Sequence, residues 1–466
     1  MLAYRCQFVL LSINKTTPTN PVSHSIQMEN AITIGTALTV AAVLIFWKKL
    51  RNSRTWLATV TPLASIMGSG FLVCAPLLAK TVGIYAAPAM GALLLLAYAV
   101  GAATRFNIRY AEPMLSRDAQ QKVKPGPQTD HRLFHGHRQG ARLSQLAKGC
   151  DLLRRLETFS QVILSVAYLI SVTYYLKLLA VFVLRGVIGS EPDPNLASAL
   201  STGVLIIIAS IGSYRGLKLL EKVERFAVGL NLGMIAALLT GLAIYNFQQV
   251  SSGAWKLPIL TTEASPFTVL RILLGLLIVV QGFETSLYLG SEHPAEERIK
   301  TMRWAQWISS AVYLIFLSLS TVLFSKLGSG NGGVTEVVGL AGIVATALPI
   351  MIVISAVGSQ FSAAVADDSG CGGLVSQLLH QRLSMRWIYL VIGSGAITLT
   401  WLTDVTQIIS IASRAFAAFY TIQCGIAAIV ALQAEGVSHR RLRCLFFGVI
   451  SIVCLLVAVL GISADG

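Results

Sequence analysis

Twelve stretches of this chain are apolar over enough residues to cross a bilayer, near 31–48, 56–80, 84–104, 158–183, 197–214, 222–246, 267–290, 304–326, 335–366, 386–402, 405–432 and 443–462. A spanning helix needs about 20 mostly apolar residues, because lipid offers its backbone no hydrogen-bond partner. No other feature restricts the fold as severely. Composition agrees: 55% of the 466 residues are hydrophobic and 12% are charged, about half the charged fraction of a soluble protein. Such a chain cannot cover soluble domains with polar surface, which excludes an ordinary cytosolic enzyme. The expectation is an all-α integral membrane protein of about 12 spans, with no β-structure and no disulfide framework. The seven cysteines are scattered and form no CxxC or other metal-ligand spacing, so no metal site is expected.

The net charge of +15 might suggest nucleic acid, but its placement argues otherwise. Alternate loops, from Lys48–Arg54 to Arg440–Arg443, hold 27 of the 36 Lys and Arg residues, and the opposite side holds seven. This bias is the positive-inside rule. It predicts a multi-pass protein of the plasma (bacterial inner) membrane with both termini outward, and no nucleic-acid partner. Lys177 and Arg414 fall inside spans; Lys177 is near enough to a span end to extend outward. Met28-Glu29-Asn30 is a candidate true start, ahead of which residues 1–27 would be an outward tail. The long basic loop 105–156, with His131, His135 and His137, reads as a solvated cytoplasmic segment, a metal role being the lesser alternative.

Two spans carry interruptions. One reads Thr61-Pro62-Leu63-Ala64-Ser65-Ile66-Met67-Gly68-Ser69-Gly70-Phe71; the other, five spans later, reads Gln281-Gly282-Phe283-Glu284-Thr285-Ser286. A broken helix frees amides for an anion at one half-helix end and carbonyls for a cation at the other. Five being odd, the second set of five spans runs inverted, and paired breaks in inverted halves point to a transporter's central site. Gly68 and Gly70 could instead simply let helices pack closely, but that leaves Glu284 unexplained. Polar residues recur on single helix faces at Gln161, Ser165, Tyr168 and Tyr175, at Ser355, Ser359 and Ser362, and at Thr403, Gln407, Ser410 and Arg414. They suggest a polar cavity between helices. Arg414, ten residues past Asp404, lies about 15 Å along its helix at 1.5 Å per residue. A charge that deep needs a partner, and Glu284 is the expected one, either within the site or as a structural ion pair.

On these segments the chain resembles the amino acid–polyamine–organocation (APC) transporters, which have the leucine-transporter (LeuT) fold. Gly68-Ser69-Gly70-Phe71 is similar to the family's Gly-Ser/Thr-Gly-Ile signature. Gly282-Phe283-Glu284, with Glu292, Pro294 and Arg298 beyond, resembles the family's sixth helix and following loop. Gly216-Leu217-Lys218 through Glu221, Glu224 and Arg225 resembles the link between the fourth and fifth helices. The resemblance covers roughly residues 56–432 and implies a 5+5 inverted repeat. The first repeat would occupy 55–246 and the second 267–432, with a lead-in helix and basic loop at 31–54 after a tail at 1–30, and a last helix at 440–466. The lead-in helix is more like the sodium/solute symporters, which share the fold.

Carried over, the resemblance puts substrate binding on Ser65, Gly68, Ser69, Gly70, Gln281, Gly282, Phe283 and Glu284, with Tyr168 beside them from its stripe. Relatives bind sodium through a hydroxyl pair on the eighth core helix; Ser359 and Ser362 are the match, with Gln360 where a second adjacent hydroxyl is common. Proton-coupled members can use a lysine on the fifth helix; Asn231 stands there, leaving Glu284 as the proton carrier. Glu284 and Arg414 complete the coupling candidates. The expected function is a cation-coupled symporter or exchanger for a small polar solute, an amino acid or related amine, with Na+ or H+ as coupling ion and no cofactor. No GxxxxGK[ST] signature for ATP is present. The alternative is a membrane sensor that keeps the fold and binds without translocating. A membrane-embedded enzyme is disfavoured, since all seven histidines fall in loops or tails.

Overall fold

The computed structural model describes residues 21–115, 137–188, 192–215, 218–258, 264–291, 293–327 and 334–463, and no strand occurs among them. Long helices follow the apolar runs: α1 Pro21–Phe46, α2 Arg54–Val82, α3 Ala86–Phe106, α4 His137–Ile188, α5 Pro194–Arg215 and α6 Lys218–Ser251. A short α7, Pro266–Gly275, opens the segment that holds Gly282. Then come α8 Ala295–Ser320, α9 Glu336–Val344, α10 Leu348–Leu378, α11 Met385–Leu402, α12 Val405–Gln433 and α13 Arg440–Leu460. Among the described residues ten helical runs are long and apolar enough to cross a membrane; Arg54–Leu115 counts as one of them, and α7 is too short to count.

Local chemistry sets the ends. Ser53 caps α2 by accepting from the Trp56 amide, and Ser265 caps α7 by accepting from that of Thr268. Asp404 and Gln407 form a reciprocal capping box at the start of α12. That accounts for Gln407, which the sequence placed on a cavity-lining stripe. Two boundaries differ from expectation. The apolar run at 335–366 is two helices, α9 and α10, and α10 continues to Leu378. The loop expected at 105–156 is partly helical: a π-turn at Asn107–Ala111 extends α3, and α4 begins at His137. His131, His135, Glu292 and Gly216-Leu217 lie outside the described residues.

The core is arranged around the segment 266–291. α2, α8 and α12 pack directly against it, α4 runs between α10 and α12, and α10 also contacts α2. Three helices are more peripheral, α1 on α6, α11 on α5 and α13 on α12. The buried side chains of the inner helices form one continuous apolar cluster, within which every polar side chain needs a partner.

Candidate functional site

The expected interruption at Gly282 is present. α7 gives way to a 3-10 turn at Leu277–Val280, then Gln281 is extended at φ −83° and ψ 171°, and a second 3-10 stretch follows at Phe283–Ser291. Gly282 has φ +121°, a region that L side chains avoid. A Cβ there would stand 2.6 Å from the Ile66 amide nitrogen and 2.6 Å from Ser65 Oγ. Glycine therefore serves twice, allowing the turn and letting two backbones approach.

The second expected interruption is absent. α2 is helical through Ser65, Gly68, Ser69 and Gly70, so its amides bond within the helix rather than to a ligand. The two glycines do what close packing asks of them. A Cβ on Gly70 would lie 2.8 Å from Val279 Cα, and one on Gly68 would meet Ala363 Cβ at 3.3 Å. The side chain of Ser69 lies outside the described residues.

Where α2 meets the break, polar groups converge. Tyr313 of α8 brings its hydroxyl within 3.0 Å of Ile66 O and 2.7 Å of Val279 O, bridging the two elements. Gln360 of α10 donates through Nε2 to Gly68 O at 2.9 Å, and Gln281 donates to the Tyr175 hydroxyl at 2.9 Å. Glu284, 0% exposed, accepts at Oε2 from the Gly282 amide (2.9 Å) and from the Tyr420 hydroxyl (2.7 Å). Phe283 stacks on Tyr420 with ring centroids 5.4 Å apart. Among the described residues, Ser65 Oγ, Glu284 Oε1 and Gln360 Oε1 are buried and find no hydrogen-bond partner. Each such atom costs about 1–3 kcal/mol, and native proteins keep few of them outside functional sites. Two acceptors and a hydroxyl form an environment for a donor-rich or cationic group.

The remaining candidates divide. Tyr168 is buried on α4, edge-on to Phe416 of α12 with centroids 6.0 Å apart. Asn231 is buried on α6 and accepts from Ser355 of α10 at 2.6 Å. Ser359 and Ser362 are buried on α10; Ser359 Oγ donates to its own helix at Ala356 O, 3.2 Å. The amide of Gln360 thus occupies the α2 carbonyl next to them. Arg414 does not meet Glu284. It is exposed, and its Nε donates to Ala458 O at 2.8 Å, near the C-terminal end of α13. Arg271 Nε does the same for Leu460 O at 3.1 Å. Two guanidinium groups thus satisfy the last carbonyls of one helix, where a dipole favours cations. Lys177 likewise does not extend outward: it is buried and donates to Thr400 O (2.9 Å) and Thr403 O, capping α11.

Several site residues escaped the sequence reading. Ser413 accepts from the Ile278 amide at 2.9 Å, and with Phe416 and Tyr420 it marks the inner face of α12 at i, i+3 and i+7. The stripe through Arg414 is one residue out of phase with it. Asp367 and Asp368 are buried on α10, past the predicted end of its span. Arg298, by contrast, was already named for the Glu-Pro-Arg pattern; it pairs with Glu112 at 2.7 Å and donates to Ser286 O and Leu287 O at the far end of the break.

A family model described as APC superfamily transporter matches residues 48–130 and 139–461. An uncharacterized protein of Aquifex aeolicus (strain VF5) is 38% identical over 418 residues, spanning 89% of this chain and 93% of that one. Among solved structures, two mutant forms of a manganese transporter from Eremococcus coleocola superpose with TM-scores of 0.53 and 0.52, each at 12% identity, covering 89% of this chain and 86% of theirs. At that identity the likeness concerns the fold, which is the LeuT fold.

Proposed function

Because the chain belongs to the APC superfamily of transporters, a multi-pass membrane family and not an enzyme family, we propose that it is a secondary active transporter for a small polar solute. An amino acid or related amine suits the site best, moved by alternating access. The observation that carries this is the broken segment at Gln281–Gly282, pressed against α2, with Glu284 beside it, fully buried and holding one oxygen without a partner. An ammonium group would satisfy that oxygen. Ser65 and Gln360 would orient the solute, and the Phe283–Tyr420 stack would close one wall. Gln281, Gly282 and Tyr168 line the same region, while Gly68, Ser69 and Gly70 act through α2.

The coupling ion is a proton rather than sodium on this reading. Gln360 already neutralises Gly68 O beside Ser359 and Ser362, and Asn231 is engaged with Ser355. The protein sits in the plasma (bacterial inner) membrane with both termini outward, as its basic residues favour.

Counterflow in proteoliposomes tests the proposal, using a panel of radiolabelled amino acids and amines, each against the same compound unlabelled. At least one should show saturable counterflow, and Glu284→Gln should reduce it at unchanged protein yield. Specific binding without counterflow of any compound would make the chain a sensor. Undiminished counterflow in Glu284→Gln would remove Glu284 from the site.

A further inference from the structure

A helix that ends at a break has no continuing turn to hold it, so its position depends on what grips it from outside. α7 runs only from Pro266 to Gly275 before the 3-10 turn at Leu277–Val280 and the extended Gln281. One grip comes from α12, where Ser413 Oγ accepts from the Ile278 amide at 2.9 Å. A second comes from residues 461–463, which follow α13. The Ile462 amide donates to Arg271 O at 3.1 Å, and Arg271 Nε donates back to Leu460 O at 3.1 Å.

The two backbones cross at a pair of glycines. A Cβ on Gly275 would collide with Ile462 O, and one on Gly461 would lie 3.2 Å from the Gly275 nitrogen. A segment that merely filled space would do so with side chains. Here the contact is backbone to backbone and leaves no room for one.

α13 itself is fastened elsewhere. Arg414 Nε of α12 donates to Ala458 O, and Ser451 Oγ of α13 donates to Thr421 O of α12. Cys454 and Val457 are fully buried. Beyond Gly461 the hold is lighter, since Ile462 and Ser463 are only half-buried.

We propose that residues 461–463 are a latch on the broken segment. Docked, they hold α7 against α13 and keep the segment closed over the solute site; released, they free α7 to tilt about the turn at Leu277–Val280. The inference rests on the transport reading for what the latch serves, while the latch itself is a property of the chain without solute.

Arg271 makes the device all-or-none. Its carbonyl takes the Ile462 amide and its guanidinium takes Leu460 O, so α7 cannot leave without breaking both bonds together. The cost stays modest, because past the end of a spanning helix water can take over both bonds. Segments at element ends are drawn from the least stable part of a fold. The latch can therefore open and close while α13 remains seated on α12.

Hydrogen–deuterium exchange of the full chain in lipid nanodiscs, without solute, provides the test. It is compared with a chain shortened after Leu460 and with Ile462→Pro, which removes the donated amide. Gly461 has ψ 131°, a value that suits the residue before a proline. Exchange across 266–284 should rise about tenfold in the shortened chain and severalfold in Ile462→Pro, the scale of one or two lost hydrogen bonds. α4 and α5 should be unchanged. Gly448→Ala, on α13 where a Cβ meets nothing within 4 Å, should leave 266–284 as in the wild type. Ile462→Pro carries the test if the shortened chain fails to fold. Unchanged exchange over 266–284 overturns the proposal. So does a rise spread evenly over α2, α4 and α10, which would make the segment a brace for the whole bundle. Counterflow by the wild type with unchanged exchange in the variants would leave transport standing and the latch refuted. Raised exchange without wild-type counterflow would keep the latch in a protein that binds without transporting.

Discussion

Replacing Gly282 by alanine is the sharpest probe of the broken segment, because two separate costs arise from one methyl group. The backbone at φ +121° is a conformation that a non-glycine residue holds only at roughly 1–3 kcal/mol. The new Cβ would also lie 2.6 Å from the Ile66 nitrogen, a backbone atom of a packed helix that cannot swing aside, and 2.6 Å from Ser65 Oγ. Overpacking of this kind adds about 1–3 kcal/mol. The sum, roughly 2–6 kcal/mol, is a large part of a typical folding free energy. Gly203 on α5 is the control, since a Cβ there meets nothing within 4 Å. In a helix that change gains up to about 1 kcal/mol. Thermal unfolding of both variants in one detergent compares them directly. Gly203→Ala should melt at or above the wild type and Gly282→Ala well below it. If the two melt together, the backbone at 282 is not pressed against α2, and the proposed solute site loses its wall.

Two further substitutions test the reassigned charges. Arg414→Ala and Glu284→Gln should combine additively within about 0.3–0.5 kcal/mol in a double-mutant stability cycle, since the two side chains have separate partners; a coupling above about 1 kcal/mol would bring them back together. Lys177→Met should destabilise by about 1–3 kcal/mol, because the carbonyls of Thr400 and Thr403 lose their donor. An unchanged melting temperature would mean that α11 ends without it.

How much of this was legible in the sequence depended on whether the deciding partner was near in the chain. Apolar runs placed the helices because lipid imposes a length on each run separately. The break at Gly282 was legible because glycine beside an ionisable residue has few other uses inside a span. Gly68-Ser69-Gly70 carried no such distinction. Small residues serve an unwound turn and a close contact equally well, and here the choice belongs to Val279 and Ala363, far away in sequence. Arg414 was assigned a depth by counting along its own helix from Asp404, whereas the carbonyl that satisfies it lies on α13. Asp367 and Asp368 were lost for a related reason. Hydropathy treats a pair of carboxylates as the end of a span, yet α10 runs ten residues beyond Asp368 to Leu378. Charge ends a helix's buried stretch only when nothing in the interior can answer it. Ser171 supplies part of that answer for Asp367.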